Sequence, residues 1–433
     1  MIEDRIEVNI AGGLDLPLPR MAHVRQRFVA PKLESVASAV VEQFKRPEVR
    51  AKIKPGMSIA VGCGSRGIVN IAQCARAVIA ELKALGARPF VFPAMGSHGG
   101  ATAQGQRELL EGYGITEDFI GCPVRSQTEV VKLGISGDMP VYMDKLAAEA
   151  DGVVVICRVK PHTSFRAPIE SGIVKMLTIG MGKITGATEL HSHGMDTFGE
   201  LLPRTARFIV GKKPILFGVA MVENALEQTA LLEIVLAEQI FEREPVLLAQ
   251  AKAWMPRIGF DELDVLIIDQ FGKNISGAGM DPNITGRNEG VPGWVTKPMI
   301  DKIVVLGLTP ESHGNAAGVG LIDVIPMRFY RDIDIAKTYG NVITSAYLPG
   351  GHIPIIMNTD AEAIQLAAKC VLRRKPQDLR IVHIRSTLEL ADIQVSESLL
   401  PQAREDNSLF EDIGEPQPFA FDASGTLKAL HAH

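Results

Sequence analysis

The sequence predicts an α/β protein with two α/β domains, mainly parallel sheets and an active site in the cleft between the domains. Three observations lead to this prediction. The chain has 433 residues, a length greater than that of a typical single domain, and 46% of them are hydrophobic. Short apolar runs rich in β-branched residues alternate with helical stretches, as parallel strands and crossover helices do. A second series of such runs begins beyond residue 258.

The first domain is predicted over residues 1–258. Residues 71–85 carry apolar side chains at helical spacing and are followed by Gly86, a typical helix end. This segment therefore completes a strand–helix–strand unit. The strand-like runs of the domain are SIAVG (58–62), PFVFPA (89–94) and GVVVIC (152–157).

The second, smaller domain is predicted over residues 259–384, after a hinge around Trp254, Pro256 and Gly259. We expect the C-terminal segment, about residues 385–433, to pack back on the first domain, with a polar tail on its surface. The strand-like runs of the second series are DVLIID (264–269), KIVVLGL (302–308), HIPIIM (352–357) and LRIVHI (379–384).

Composition argues against several classes of partner. The net charge of −5 offers no basic field for nucleic acid or anionic membranes. No stretch approaches the roughly 18 uncharged apolar residues of a membrane span, and MIEDRIEVNI lacks the features of a signal peptide. The five cysteines have no CxxC spacing, which argues against a disulfide framework or a closed zinc site. We therefore expect a cytoplasmic protein that binds neither nucleic acid nor membrane.

Polar, glycine-rich loops follow the three strands predicted in the first domain. They read GCGSRG, MGSHGG and RVKPHTSF. Ligands of open α/β sheets bind beyond the carboxyl ends of the strands, so these loops should converge on one edge.

His98 and His162 lie in two of these loops and are candidate acid/base residues. The ordinary pKa of histidine, near 6.5, suits proton transfer at neutral pH. A turn histidine that bonds only to nearby backbone is the alternative. Two histidines at neighbouring strand ends could flank a substrate from opposite faces, as inversion of a carbon centre requires.

The densest cluster of chemically active residues lies within residues 159–195. Its glycines permit close backbone approach to a bound group, and Ser171 with Gly172 could contact a phosphate. A phosphorylated cofactor is therefore conceivable, although neither the P-loop pattern nor a GxGxxG after a strand is present. The cluster contains His162, Glu170, Lys175, Lys183, His191 and His193.

Four residues of the first domain have two interpretations. His191 or His193 could bind a metal, or both could be solvated surface side chains. Lys175, amid apolar neighbours, could form a covalent bond to a cofactor, or only extend its ammonium to solvent. Arg66 could clamp a carboxylate or phosphate, or form a surface ion pair.

The motifs GSRG, MGSHGG, KPHTSF, ESGIVK and ELHSHG, in this order, resemble the nickel-dependent lactate racemase family over most of the first domain. The resemblance implies a nickel pincer nucleotide, a pyridinium-3,5-bisthiocarboxylic acid mononucleotide carrying Ni²⁺. By position, Lys175 matches its lysine tether and His191 the protein ligand to nickel. His98 and His162 match the paired acid/base histidines, and Arg66 matches an arginine that contacts substrate or cofactor.

The resemblance also implies an activity, the inversion of C2 of a 2-hydroxy acid. One histidine removes the hydroxyl proton while the hydrogen on carbon leaves as hydride to the cofactor, and a 2-oxo acid forms transiently. Hydride then returns on the other face, and the second histidine returns a proton. The implied partners are the small 2-hydroxy acid and the enzymes that make the cofactor, with a homo-oligomer possible.

The sequence departs from the best-known members of this family at two places. Cys63 stands where they carry an acidic residue, and the segment 162–175 replaces a shorter glycine-rich form. We therefore expect a different cofactor pocket. In the second domain, Lys273 and Asn274 are candidate substrate contacts. The polar loops of this domain are also compatible with a substrate larger than lactate, such as a sugar acid.

Two other functions compete with this hypothesis. A zinc-dependent hydrolase could use His191 and His193 with Glu170 or Glu189 as base. A non-catalytic nickel or cofactor carrier would keep Lys175 and His191, but it gives no reason for histidines at two strand ends.

Overall fold

Strands and helices alternate along most of the chain, which confirms the predicted α/β class with mostly parallel sheets. By its internal contacts, the chain divides into two compact units. Unit A is Ala30–Met255, and unit B combines Met1–Val29 with Pro256–His433. The computed structural model describes residues 5–64, 67–288, 291, 294 and 297–430.

The strands form where the sequence is most apolar and β-branched. In chain order they are β1 (Met21–Gln26), β2 (Ser58–Cys63), β3 (Arg88–Pro93), β4 (Val130–Ser136), β5 (Met139–Asp144), β6 (Gly152–Arg158), β7 (Ile215–Glu223), β8 (Thr229–Leu236), β9 (Glu262–Ile268), β10 (Met299–Val305), β11 (Val324–Pro326), β12 (Ile355–Met357), β13 (Ile381–Ile384), β14 (Asp392–Ser396) and β15 (Phe410–Glu411).

The helices cover the sheets and join the strands. Among the described helices, none has the length and apolar character needed to cross a bilayer. In chain order they are α1 (Val36–Phe44), α2 (Pro47–Arg50), α3 (Ile71–Ala84), α4 (Ala103–Gly112), α5 (Glu117–Ile120), α6 (Lys145–Glu149), α7 (Ile173–Lys175), α8 (Met181–Ser192), α9 (Phe198–Lys212), α10 (Ile240–Ala253), α11 (Pro282–Thr285), α12 (Met327–Arg331), α13 (Ile335–Thr344), α14 (Asp360–Lys369) and α15 (Leu400–Glu405).

The main sheet of unit A has the strand order β3-β2-β6-β7-β8. The first four strands are parallel, and β8 pairs antiparallel with β7. The parallel strands are nearly continuous apolar runs because both faces of the sheet are covered. In β2, Ala60 packs into one buried cluster, whereas Ile59 and Val61 pack into another. A separate antiparallel pair, β4 and β5, completes the strands of this unit.

The sheet of unit B has the order β12-β11-β10-β9-β13-β14-β1-β15. Its first five strands are parallel, and β14, β1 and β15 continue it antiparallel. The carboxylate of Asp264, on β9, accepts a hydrogen bond of 2.7 Å from the backbone N of Arg380 and one of 2.8 Å from Nε of Arg374. These hydrogen bonds connect the residues just before β13 to the first part of β9.

Two terminal segments lie elsewhere than predicted. Residues 385–433, expected to pack on the first domain, belong to unit B, where β14 and β15 pair with β1. Residues 1–29, expected in the first domain, belong to unit B as well. The reason is that these strands are short and only half apolar, as in MAHVRQ (Met21–Gln26) and DIQVS (Asp392–Ser396), so their sequence does not specify which sheet they join.

The cysteines are all free thiols, and all except Cys370 are buried. Burial raises the pKa of Cys74 to about 12 and that of Cys122 to about 11. These two thiols therefore stay protonated at neutral pH and serve as small apolar side chains of the core.

Candidate active site

The carboxyl ends of β3, β2 and β6 lie side by side at one edge of the sheet of unit A. Cys63 on β2 is in register with Pro93 on β3 and with Ile156 on β6. The three polar loops therefore leave the sheet together, as predicted from their positions. His98 and His162 follow the two outer strands, and the loop between them carries Arg66, which lies outside the described residues.

The loop that carries His98 is held by a buried side chain from α4. Nε2 of Gln106 donates to the backbone oxygens of Met95 (3.2 Å), Gly96 (3.1 Å) and His98 (3.3 Å). These bonds satisfy carbonyl groups that the end of β3 leaves without a sheet partner. Gln106 was not singled out in the sequence, because a glutamine on a helix gives no sign of its burial.

The same loop touches α4 backbone to backbone. Gly99 has a φ of 62° and lies so close to Gly105 that a Cβ on Gly105 would be 2.2 Å from the oxygen of Gly99. Only glycine fits this contact. The turn after His98 is therefore fixed against the first part of α4.

His162 is 9% exposed and is held from two sides. Its backbone N donates to Oε2 of Glu170 (2.6 Å), and the backbone N of Ser164 donates to Nδ1 of the imidazole (3.0 Å). Because Nδ1 accepts a hydrogen bond, the proton of the neutral ring is on Nε2.

Glu170 organises the loop that carries His162. It is fully buried and accepts hydrogen bonds from Nζ of Lys252 (2.7 Å) and Nη1 of Arg166 (3.4 Å). Backbone hydrogen bonds between Lys160 and Ser171, 3.0 and 3.3 Å long, close the base of the loop. Ser171, predicted to bind a phosphate, therefore lies where this loop ends and the next helix begins.

A carboxylate from α10 caps the helical segment that begins after Gly172. Oε2 of Glu244 accepts a hydrogen bond of 2.9 Å from the backbone N of Val174. A Cβ on Gly172 would lie 2.4 Å from Oε1 of Glu244, so glycine is required there. Burial raises the pKa of Glu244 to about 7, although hydrogen bonds from Val174 and Ile173 lower it.

The capped segment carries both Lys175 and His191. It runs through α7, a π-helical turn at Met176–Gly180, and α8. Burial, and then the positive charge of Lys175, lower the pKa of His191. The two residues therefore interact electrostatically, and His191 is neutral at pH 7, as metal binding requires.

A chain of aromatic contacts links His191 to His162, and we call it the ring cluster. The ring centroids of His162 and Phe165 are 4.4 Å apart, those of Phe165 and Phe198 are 5.6 Å apart, and those of Phe198 and His191 are 5.1 Å apart. His193 instead approaches Glu189, with 3.9 Å between Nε2 and Oε1. Of the two candidate metal ligands, His191 is the one in contact with this cluster.

Lys183 is buried beneath the loop of His98. It is 1% exposed, and its Nζ donates to the oxygen of Pro93 (2.8 Å) and to Oε1 of Gln106 (2.7 Å). Its Nζ also lies 3.5 Å from Oδ2 of Asp144. Burial lowers the pKa of Lys183 and raises that of Asp144.

The candidate substrate contacts of unit B stabilise a loop. Nζ of Lys273 donates to the oxygens of Gly277 (2.7 Å) and Ala317 (2.8 Å). Oδ1 of Asn274 accepts a hydrogen bond of 2.7 Å from Oγ1 of Thr309. Their predicted contact with substrate stays a prediction.

Unit B also contains a cleft of about 470 Å³ beyond the carboxyl ends of β9 and β10. Its lining includes three cations, Arg328, Arg385 and Lys428. Arg328 pairs with Asp360 and Arg385 with Glu389, at 2.9 and 2.8 Å. Sequence reasoning missed these cations. Arg385 follows the run LRIVHI directly, and that position after a strand was the available signal.

Metal ligands do not cluster in the described part of the chain, where no group of three or more His, Cys, Asp or Glu side chains could hold an ion. A zinc site built from such a set of protein ligands is therefore not formed by these residues. Glu170, one of the two proposed bases of a hydrolase, accepts a hydrogen bond from the backbone N of His162.

Comparison with known proteins finds a match to a family model over part of the chain and a similar fold. Residues 53–235 match the model of a domain of unknown function, DUF362. The lactate racemase apoprotein from Thermoanaerobacterium thermosaccharolyticum is 13% identical, with a TM-score of 0.51 over 84% of this chain and 94% of that chain. A protein from Thermotoga maritima is 13% identical, with a TM-score of 0.48 over 78% and 84%. No curated protein matches the sequence.

The raised pKa of Glu244 predicts a pH-dependent stability. Its carboxyl group titrates near 4.5 when unfolded and near 7 when folded, so its contribution is complete below pH 4.5 and is lost as the pH rises through 7. Relative to Glu244→Gln, the parent should lose about 3 kcal/mol of unfolding free energy between pH 5 and 8. Denaturant unfolding at several pH values measures the difference.

Glu242→Gln, on the exposed side of α10, is the matched control for this measurement. The same pH slope in both variants would show that burial of Glu244 is not its cause.

The contact between Gly99 and Gly105 predicts opposite effects for two alanine substitutions in α4. Gly105→Ala should lower the unfolding free energy by about 2 kcal/mol, because its Cβ overlaps the oxygen of Gly99. Gly112→Ala should leave it unchanged or raise it by up to about 1 kcal/mol, because nothing lies within 4 Å. Thermal or denaturant unfolding of both variants tests this, and equal effects would contradict it.

Proposed function

We propose that this protein is a 2-hydroxy acid racemase or epimerase that inverts C2 of its substrate with a nickel pincer nucleotide. The observation that carries the proposal is the ring cluster, which links His162 to His191, together with the charge interaction between His191 and Lys175. One acid/base candidate, one metal ligand candidate and the tether candidate thus belong to one connected group of side chains in unit A.

Lys175 and His191 fit a metal that arrives inside an organic cofactor. Such a cofactor brings most of the metal's donors, so a single neutral imidazole from the protein is sufficient. His191 is neutral at pH 7 because burial and the charge of Lys175 lower its pKa. When bound, the nickel pincer nucleotide supplies the group that takes up and returns hydride. Ser171 and Gly172, just before the capped segment, are the proposed contacts of its phosphate.

His98 and His162 are the proposed acid/base pair. They follow β3 and β6, which both neighbour β2, so the strands they follow are about 10 Å apart. The hydrogen bond from Ser164 to Nδ1 makes Nε2–H of the neutral ring a hydrogen-bond donor toward the substrate oxygen, while His98 removes the hydroxyl proton. Transfer of a proton to or from Nε2 of His162 uses ring forms that carry a proton on Nδ1, so in either direction it requires that bond to break.

The substrate of this proposal carries a carboxylate, and the chain offers cations to bind it. Arg66 is the candidate in unit A. In unit B the candidates are Lys273 with Asn274 and the cations of the cleft, Arg328, Arg385 and Lys428. Guanidinium groups bind carboxylates through paired hydrogen bonds. The proposed substrate is lactate or a larger 2-hydroxy acid, such as a sugar acid.

Cofactor retention is the first test. Protein co-expressed with the enzymes that make the cofactor should contain nickel and an added mass by native mass spectrometry. Lys175→Ala should lose the added mass, and His191→Ala should lose nickel, because they remove the tether and the metal ligand. His193→Ala is the matched control and should keep both. Bound zinc without an adduct would favour the hydrolase instead.

Turnover by loaded protein is the second test. His98→Ala and His162→Ala should each keep the adduct and lower kcat for both enantiomers about 100-fold or more, because each removes a proton-transfer group. Chiral chromatography with a panel of 2-hydroxy acids measures the rates. If a substrate is found and both variants racemise it at the parent rate, the paired-base assignment is wrong. A fully loaded parent that turns over no substrate would favour the carrier.

A further inference from the structure

We propose that Lys183 and Gln106 are positioning residues that hold the loop of His98 for catalysis. The proposal rests on the proposed function, in which His98 is an acid/base residue whose position matters for catalysis. It concerns a buried chain of polar contacts that runs from Asp144 through Lys183 and Gln106 to the backbone of residues 95–98.

The ammonium group of Lys183 donates two hydrogen bonds, to the oxygen of Pro93 at 2.8 Å and to Oε1 of Gln106 at 2.7 Å. Its third neighbour is Oδ2 of Asp144, 3.5 Å away, an ion-pair contact rather than a hydrogen bond, and the Asp144 side chain is 1% exposed. A buried ammonium without such partners would be strongly unfavourable. The charge is therefore accommodated where β3 ends and the loop of His98 begins.

Lys183 also determines the orientation of the Gln106 side-chain amide. Because the ammonium can only donate, it binds the oxygen of the amide and turns the NH₂ group to the opposite side. That NH₂ group faces three carbonyl oxygens, those of Met95, Gly96 and His98. With the amide reversed, its oxygen would face these carbonyls and repel them.

The backbone at Lys183 indicates that this side chain is needed at this position. Its φ of 54° and ψ of −160° are rare for a residue with a Cβ and interrupt the regular turns of α8. Gly182 and Gly186 lie nearby and would adopt such a conformation freely. The segment nevertheless places the irregular turn at a lysine whose ammonium reaches the loop of His98.

A purely structural ion pair is the competing explanation. Buried ion pairs often contribute little net stability, since apolar residues of similar volume replace them without loss. A structural pair would affect unfolding alone. A positioning pair affects the order of the loop of His98 and the rate constant of the loaded enzyme while leaving the loop of His162 unchanged.

The test uses Gln106→Glu in the full chain. The introduced carboxyl group still accepts from Lys183, but it replaces the NH₂ group that donates to the three carbonyls and places a second carboxyl group, besides that of Asp144, next to one ammonium. In the apoprotein, hydrogen exchange of residues 96–101 should accelerate about tenfold. Exchange of residues 160–171 should be unchanged. In the loaded enzyme, kcat should fall about tenfold or more, with KM within about twofold and the nickel adduct retained.

Two companion variants complete the design. Gln104→Glu, exposed on α4, is the matched control and should change neither exchange nor kcat. Lys183→Met with Asp144→Leu removes both buried charges together, so folding is not challenged by one unpaired ion. It should reproduce the exchange effect, because the amide of Gln106 loses the contact that orients it.

The outcomes separate this inference from the proposed function. Unchanged exchange of residues 96–101 in Gln106→Glu overturns the positioning role, whatever the activity. A parallel loss of protection in both loops also overturns it, because it indicates general destabilisation. Faster exchange confined to residues 96–101 with unchanged kcat means that the network orders the loop without serving catalysis. If the fully loaded parent turns over no 2-hydroxy acid, the proposed function fails, and the exchange result still decides whether the network holds the loop.

Discussion

Parallel pairing of β2 with β3 and β6 is the constraint from which the candidate site follows. The register of Cys63 with Pro93 and Ile156 places the ends of β2 and β3 at one level, and β6 continues only to Arg158 beyond it. Parallel strands need crossover connections, so the loops at this edge are separated along the chain but adjacent in space. His98 and His162 occupy the two outer positions for this reason. The helical segment with Lys175 and His191 then reaches the same region through the ring cluster.

The backbone N–H and C=O groups of the polar loops beyond the sheet need hydrogen-bond partners. In each segment of the site, one buried polar side chain is such a partner. Gln106 binds carbonyl groups of residues 95–98, Glu170 binds the backbone N of His162, and Glu244 binds that of Val174. A buried backbone group without a partner costs about 1–3 kcal/mol, so these contacts determine loop conformation as well as stability. The loops are therefore held by the interior of unit A.

Much of this arrangement could be predicted from the sequence, because it depends on local patterns. Apolar runs located the parallel strands, and the motifs after them located His98, His162, Lys175 and His191. Contacts distant along the chain could not be predicted. Glu244 lies 70 residues from Val174 and Lys183 lies 77 from Gln106, so no local spacing relates them. The same reason explains the terminal segments, because β1 near one end of the chain pairs with β14 and β15 near the other.

Departures from regular geometry concentrate in the segment that carries the tether and metal ligand candidates. It contains the π-helical turn at Met176–Gly180 and the positive φ of Lys183, and its start is capped by the buried carboxyl group of Glu244, on α10. Each is unfavourable by itself, and a regular helix of the same length would avoid the first two. Such local costs persist where function selects a geometry that regular structure cannot provide. In this chain they lie in the segment of Lys175 and His191, the proposed tether and the proposed metal ligand.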